Sequence, residues 1–155
     1  MEMELNILLR AFVALVLSGV LGWEREAAGK SAGVRTHMLV GLAAALFVVL
    51  AERMVVHFQS YGDHVRFDPI RIIEAVVTGV SFLGAGSIFV AGNADRVKGL
   101  TTAASILVTA GVGMMVGLEL FVLATAITVL TFVVLYVLSR IKDKISPPPA
   151  EDAPR

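Results

Sequence analysis

Five long apolar segments, separated by short polar stretches, set the pattern of this chain. They cover residues 5–23, 34–56, 70–91, 100–118 and 120–138. Each is close to the roughly 20 residues that an α-helix needs to cross about 30 Å of hydrocarbon. The pattern therefore predicts an all-α, polytopic membrane protein with about five transmembrane helices.

Between the fourth and fifth segments, only the letters GLE at residues 117–119 interrupt the apolar sequence. This region can form either a tight helical hairpin or one long helix. A continuous helix over both segments would be about 58 Å long at 1.5 Å per residue, which is far longer than one bilayer is thick. We therefore predict the hairpin.

The composition agrees with a membrane location. Of the 155 residues, 57% are hydrophobic, and the mean hydropathy of +0.83 exceeds what a soluble domain of this size requires. The 13 basic and 13 acidic residues cancel, so no net field attracts nucleic acid, which we exclude as a partner. The absence of cysteine excludes disulfides, thiolate metal sites and cysteine nucleophiles.

The basic residues are divided unevenly between the two sides that five crossings create. The larger group marks the cytoplasmic side, so we predict that the N-terminus lies outside and the C-terminus in the cytoplasm. We also predict a transmembrane domain over residues 1–144 and a disordered, proline-rich tail over residues 145–155. The larger group is Arg25, Lys30, Arg35, Arg96, Lys98, Arg140, Lys142, Lys144 and Arg155, and the smaller is Arg10, Arg53, Arg66 and Arg71.

Small residues recur along the segments at helical spacing, and in lipid such residues let helices approach each other closely. The third segment is the richest in them, with Gly79, Gly84 and Gly86 among others, so we expect it to be the central and most enclosed helix. Gly113 and Gly117 predict a similar contact on the fourth segment. The fifth segment is bulky and β-branched, which favours a position facing lipid.

Charged residues at the start of the third segment form the first candidate site. Asp68 precedes Pro69, which is typical of a helix N-cap, and a ligand role would come in addition. Glu74 lies about one turn inside the apolar segment, where a charge is costly unless it is paired or faces a polar interior. Either Arg71 pairs with Glu74, or Glu74 forms an ion or proton site open to the outer face. Asp68 and Glu74 are the predicted metal ligands.

The polar stretch after the first segment is the second candidate site. Glu24 and Arg25 directly follow the apolar residues, and we expect them to reach the lipid headgroups. Glu26 and Lys30 have i, i+4 spacing, which predicts a surface ion pair if the helix continues. Glu24 and Glu26 are an alternative pair of cation ligands on this side.

The second segment begins with another polar candidate, His37. This residue shares a helix face with Gly41 and Ala45, so we expect it to point at a neighbouring helix and to be hydrogen-bonded there. We predict that residues 22–41 form a polar cap on one mouth of the bundle, facing the turn at residues 92–105.

Three sequence blocks resemble the MgtC/SapB family of bacterial inner-membrane proteins. They are G-W-E-R-E with G-V-R-T-H-M-L-V-G at residues 22–41, D-P-I-R followed by G-V-S-F-L-G-A-G-S-I at 68–88, and V-K-G-L-T-T-A-A-S with G-V-G-M-M-V-G at 97–117. One block alone would be a weak signal, but all three occur in order and at the family's spacing. The resemblance extends over residues 19–117.

The resemblance implies a multi-pass inner-membrane protein that supports adaptation to magnesium limitation and, in pathogens, virulence through survival inside macrophages. Virulence members of the family are linked to restraint of the proton-driven ATP synthase, and many members are called magnesium transporters. Members related to the virulence factor carry a further soluble domain, so this chain resembles the short members. The motif positions are Glu24, Arg25, Glu26, Arg35, Thr36, Asp68, Arg71, Gly84 and Gly86, with Gly99, Thr101 and Thr102 assigned to helix packing.

Two hypotheses of different classes follow. The first is a non-catalytic regulator that binds other membrane proteins, such as the ATP synthase, or a second copy of itself. The second is a transporter or binding protein for Mg²⁺ or another cation, with carboxylates as ligands. An enzyme is disfavoured, because the motif around Ser87 lacks the glycine that usually follows the serine of an intramembrane protease. We expect lipid as the constant neighbour and no cofactor other than Mg²⁺.

Overall fold

The computed structural model describes residues 1–59, 68, 70–90 and 98–145 of the chain. These residues form five α-helices and no strand. All five helices are long and apolar enough to cross a membrane, so the predicted all-α fold with five spans is confirmed. The helices are α1 (Glu2–Ala27), α2 (Val34–Gln59), α3 (Ile70–Val90), α4 (Leu100–Gly117) and α5 (Phe121–Ile145).

Two predictions about the chain ends stay predictions. The proline-rich tail begins at Ile145, the last residue of α5, and its other residues, 146–155, lie outside the described part of the chain. The orientation of the two termini across the membrane rests on the distribution of basic residues alone.

Two tight turns end α1 and α4 with a residue in the left-handed backbone region. Gly29 follows α1 with φ +65°, and Glu119 follows α4 with φ +63°. After α4, the Leu120 N–H donates to Met115 O at 2.9 Å, which satisfies a carbonyl that the helix end would otherwise leave free. α4 and α5 therefore form the predicted hairpin and are not one continuous helix.

α4 is the central helix of the bundle. Half of its span (50%) is buried inside the chain, the largest share of any of the five described helices. Ile106 and Ala110 of α4 belong to an apolar cluster that also joins α2 and α3. Val112 and Val116 belong to a second cluster, which joins α4 to α1, α2 and α5.

The prediction that the third segment is the most enclosed helix is wrong. Only 11% of the α3 span is buried, less even than the 17% of α5, the helix that we expected to face lipid. α3 does approach α4 closely at Gly84, where an added Cβ would lie 3.3 Å from Ala103 Cβ. Small side chains allow a close approach on whichever face they occupy, but they do not determine whether the same chain covers that face.

Candidate functional site

A buried polar cluster lies where α1 ends and α2 begins. It consists of Glu24 and Arg25 of α1, His37 of α2 and Ser105 of α4, and we call it the histidine cluster. Arg25 Nε donates to Glu24 Oε2 at 2.6 Å. The expectation that Glu24 and Arg25 reach the headgroups is wrong, because both side chains are buried between helices and satisfy each other's charge.

His37 is fully buried and bonded at both ring nitrogens. Its Nδ1 lies 3.0 Å from Gly33 O and its Nε2 lies 3.1 Å from Ser105 Oγ. Because a carbonyl oxygen only accepts, Nδ1 carries a proton and donates to Gly33 O, and Nε2 lies within hydrogen-bonding distance of the Ser105 hydroxyl. That hydroxyl donates to Thr102 O at 2.8 Å. The expectation that His37 points at a neighbouring helix is confirmed.

A glycine allows α1 to approach this histidine. An added Cβ at Gly22 would lie 2.9 Å from His37 Cβ and 2.7 Å from Val34 Cα, so no larger residue fits without moving α2. Arg25 is the next residue of the same buried face of α1, three positions further on. Its Nη1 atom is buried and has no hydrogen-bond partner.

The predicted ion pair between Glu26 and Lys30 is not formed. α1 ends at Ala27, and Gly29 turns the chain, so the two residues no longer share a helix face. Glu26 Oε2 instead accepts a hydrogen bond of 2.9 Å from the Val34 N–H, which stabilises the first turn of α2.

The remaining motif residues of this stretch, Arg35 and Thr36, are exposed in the first turn of α2. They do not join the histidine cluster. The contact between His37 and Ser105 places the stretch against α4, as the predicted polar cap requires, whereas residues 91–97 of the facing turn lie outside the described part of the chain.

A second buried charge lies at the opposite end of the bundle, near the turn between α4 and α5. Arg10 of α1 donates to Glu52 Oε2 of α2 at 2.8 Å and to Gly117 O of α4 at 2.9 Å. It also pairs with Glu119 of the turn, and its Nε donates to Asn6 Oδ1 at 2.6 Å. We call Asn6, Arg10, Glu52 and Glu119 the arginine cluster, which ties three helices and a turn together.

The arginine cluster is not predicted from the sequence. Arg10 contributes only to the predicted orientation, although its place inside the first apolar segment is the same signal that singles out Glu74. Its partners, Glu52 and Glu119, lie 42 and 109 residues away along the chain. Helical spacing relates residues three or four positions apart, so it cannot identify partners at such distances along the chain.

The candidate site at the start of α3 is solvent- or lipid-facing in this chain. Asp68 Oδ1 accepts from the Ile70 N–H at 3.0 Å, which confirms its role as a helix cap. Arg71 lies 3.8 Å from Asp68 Oδ2, so it pairs with this residue and not with Glu74. Glu74 is exposed, and the structure does not bring it together with Asp68 in a closed site.

The predicted packing positions on and before α4 lie at close helix contacts. Added Cβ atoms would lie 2.8 Å from Ala45 O at Gly117, 3.0 Å from Ala44 Cβ at Gly113 and 2.7 Å from Ser87 O at Gly99. Thr102 is buried. Thr101, one position earlier, is exposed and packs against no helix interior.

On α3, only one of the three predicted packing glycines lies against another helix. Gly84 contacts α4, but a Cβ at Gly79 or Gly86 would meet nothing within 4 Å. Within the single chain, the predicted packing of these two positions is therefore not formed, because no other described helix comes close enough to contact them. An apolar groove of about 490 Å³ between α2 and α3 runs beside Gly79.

The two buried clusters hold charge by internal pairing. Among the described residues, no group of three or more His, Asp or Glu side chains is arranged to hold a metal ion. Ser87 donates to Gly84 O at 2.7 Å, as a serine inside a helix commonly does. The two clusters are suited to fixing the helices against one another, while one face of α3 stays exposed.

Comparisons with known proteins place the chain in a family. A model of the MgtC family matches residues 11–144. The chain is 42% identical over 135 residues to the putative magnesium transporter YhiD of Escherichia coli K12, 39% over 116 residues to the protein MgtC of Brucella abortus, and 33% over 112 residues to the protein SapB of Bacillus subtilis.

These alignments cover most of this chain but only part of each relative. They include 87%, 75% and 72% of the chain and 61%, 44% and 47% of the relatives, in the same order. The chain thus spans about half the length of these relatives. No solved structure matches it. The matched region contains the three sequence blocks and the whole histidine cluster, and the chain belongs to the MgtC family.

Proposed function

We propose that this chain is a non-catalytic regulator in the bacterial inner membrane that acts during magnesium limitation by binding a membrane protein through α3. The surface that binds is the open α3 face, which we define as Glu74, Thr78, Ser81 and Ala85, spaced three and four residues apart. All four residues are exposed in the single chain. This exposure of polar and small residues on a membrane-spanning helix is the observation that carries the proposal.

The physics of the bilayer favours a protein partner at this face. A carboxyl group and two hydroxyls exposed to hydrocarbon lack the hydrogen bonds that another helix can supply. Small residues allow that helix to come close, as Gly84 already does with α4. The partner is another membrane protein, the ATP synthase being the one that the family resemblance suggests, or a second copy of this chain.

The core of the bundle supports a regulator more than a conduit. Between the two polar clusters, the contact of α1, α2 and α4 is filled mainly by apolar side chains, including Ala14, Ala45 and Val112, and it contains no charged side chain among the described residues. The charged residues at either end of this core are held by partners of the opposite charge. A divalent cation needs a continuous set of oxygen ligands, which these described residues do not line.

The first test is growth in low magnesium of cells that carry only variants of this chain. We expect Ser81→Leu and Ala85→Leu to abolish growth without lowering the amount of folded protein, because each blocks a face that the chain itself leaves open. The matched controls, Thr125→Leu and Ala126→Leu, fill exposed positions of α5 and should support growth. Equal growth of all four variants would contradict the proposal.

The second test is flux of Mg²⁺, H⁺ and K⁺ into vesicles that contain the purified chain. We expect none above that of empty vesicles. A saturable Mg²⁺ flux that Glu74→Gln abolishes would establish the alternative function, a cation transporter. Two observations favour that alternative: the name of the Escherichia coli relative, putative magnesium transporter, and the exposed, unpaired carboxylate of Glu74 among the described residues.

A further inference from the structure

One edge of the Arg25 guanidinium donates a hydrogen bond through Nε, and the other edge, at Nη1, has no hydrogen-bond partner. We call the second edge the free edge. Nε donates to Glu24 Oε2 at 2.6 Å, whereas Nη1 is buried without a hydrogen-bond partner. Only 2% of Arg25 is exposed. Folded proteins rarely keep a buried donor unsatisfied, and an exception calls for an explanation such as a bound ion or ligand.

From the contacts between α1, α2 and α4, we infer that Arg25 is placed on α1 level with the first turn of α4. Gly22 packs against His37, and His37 contacts Ser105 of α4. Arg25 lies three residues beyond Gly22 on α1, and Thr102 lies three residues before Ser105 on α4. Because the two helices run in opposite directions, both steps of three residues lead about 4.5 Å toward the same end of the bundle.

The first turn of α4 supplies further donors there. Its N-cap, Gly99, has no side chain, and no described side chain caps the helix. The first intrahelical bond runs from the Ala103 N–H to Gly99 O at 2.8 Å, so the N–H groups of Leu100, Thr101 and Thr102 precede it. These groups carry the positive end of the helix dipole, which favours an anion.

We propose that the free edge of Arg25 and the first turn of α4 bind an oxyanion of the phosphate class. Arginine side chains and helix N-termini both commonly bind phosphate oxygens in proteins. The first turn of α4 lies at the end of a membrane-spanning helix and its residues Leu100 and Thr101 are exposed, so phospholipid headgroups and dissolved phosphate both have access to this turn. No residue of the open α3 face takes part, so the site is independent of the proposed function.

Glu24 sets the strength of this site. Its carboxylate holds the guanidinium in place through Nε, yet it also adds one negative charge close to the anion. Like charges at short range weaken binding. Glu24→Gln keeps an oxygen acceptor for Nε and removes the charge, so it should bind phosphate more tightly than the parent chain does.

The test measures the melting temperature Tm of the full chain in maltoside micelles, which contain no phosphate. We expect inorganic phosphate, compared with chloride at equal ionic strength, to raise Tm by about 3 °C or more. In Arg25→Lys the rise should be lost, since lysine lacks the planar fork. Arg35→Lys, an exposed arginine at the same end, is the matched control and should keep it.

The second arm replaces inorganic phosphate by short-chain phosphatidylglycerol, with the diacylglycerol of the same chains as control. A rise in Tm with the phospholipid alone identifies a headgroup as the ligand, and a rise with inorganic phosphate alone identifies the free ion. No rise with either probe, or equal rises in Arg25→Lys and Arg35→Lys, would overturn the proposal.

If Arg25→Lys does not fold, Glu24→Gln tests the proposed anion site instead. A phosphate-dependent rise in Tm larger than that of the parent chain supports the site. A smaller rise overturns it, because a purely structural role of the pair between Glu24 and Arg25 would not make the stability of the variant more sensitive to phosphate.

Discussion

Arg10 and Arg25 occupy the same buried face of α1, about 22 Å apart along the helix axis, and each is paired in a different way. Arg10 reaches three other structural elements, whereas Arg25 reaches the neighbouring glutamate and retains a free edge. The burial of His37 was predictable from its helix face. The pairing of Arg10 was not, because its partners come from parts of the chain that only the tertiary fold brings together.

Because Arg10 forms several hydrogen bonds and ion pairs, we expect Arg10→Met to lower the free energy of unfolding. The substitution leaves Gly117 O without its donor and two glutamates without their partner. Since the side chains of both glutamates are about half exposed (46% and 47%), water offsets part of this loss, and we expect a destabilisation of about 2 kcal/mol. Reversible unfolding in mixed micelles with sodium dodecyl sulfate measures it.

The control is Arg53→Met in the same region. Arg53 is partly exposed and lies 4.0 Å from Glu52, so its loss should cost less than about 0.5 kcal/mol. Equal losses for the two variants would show that Arg10 is held no more firmly than a surface arginine.

The bond between His37 and Ser105 predicts the result of Ser105→Ala. The variant leaves His37 Nε2 buried without a partner, and we expect a destabilisation of about 1–2 kcal/mol in the same unfolding assay. Thr125→Ala is the control, because the exposed Thr125 hydroxyl donates only to Phe121 O within its own helix. A Ser105→Ala variant as stable as the control would mean that His37 has no need of this contact.

At the scale of helices, the sequence predicts five elements and the hairpin correctly, because length and hydropathy alone determine which segments span a bilayer. The sequence does not predict correctly which helix is central. α4 and α3 are both rich in glycine, but α4 packs against α2 at Gly113 and Gly117 and against α3 at Gly84, so it lies between these two helices. The amino-acid composition of the two helices does not determine which of them lies in the centre.

Two glycines of α4 provide a matched test of this contact. An added Cβ at Gly113 would approach Gly41 O and Ala44 Cβ of α2, whereas at Gly111 it would meet nothing within 4 Å. We expect Gly113→Ala to destabilise the chain by about 2 kcal/mol through overpacking. Gly111→Ala should be neutral or slightly stabilising, because alanine is the better helix former.

Unfolding of both variants in mixed micelles gives the comparison directly. If Gly113→Ala were as stable as Gly111→Ala, α2 and α4 would have to be further apart than in this structure.

At the scale of the whole molecule, alternating crossings put the turn after α1 and the turn after α4 on opposite sides of the membrane. Because the chain has no cysteine, single substitutions report on one site each. We expect Lys30→Cys to react with an impermeant maleimide only after the cells are opened, and Leu118→Cys to react in intact cells. Both residues are exposed.

The reversed pattern would place the N-terminus in the cytoplasm and contradict the orientation predicted from basic residues. Reaction of both cysteines from the same side would contradict the five-span topology itself.

The arginine cluster also bears on how the protein is made. Arg10 leaves the ribosome 109 residues before Glu119, its last partner. At typical rates of synthesis, this guanidinium spends about 5–20 s in the translocation machinery or the bilayer with its pairing incomplete. A chain whose translation stops before the fourth helix has Glu52 as a partner for Arg10 but lacks Glu119 and the Gly117 carbonyl, so its guanidinium keeps unsatisfied donors at membrane depth.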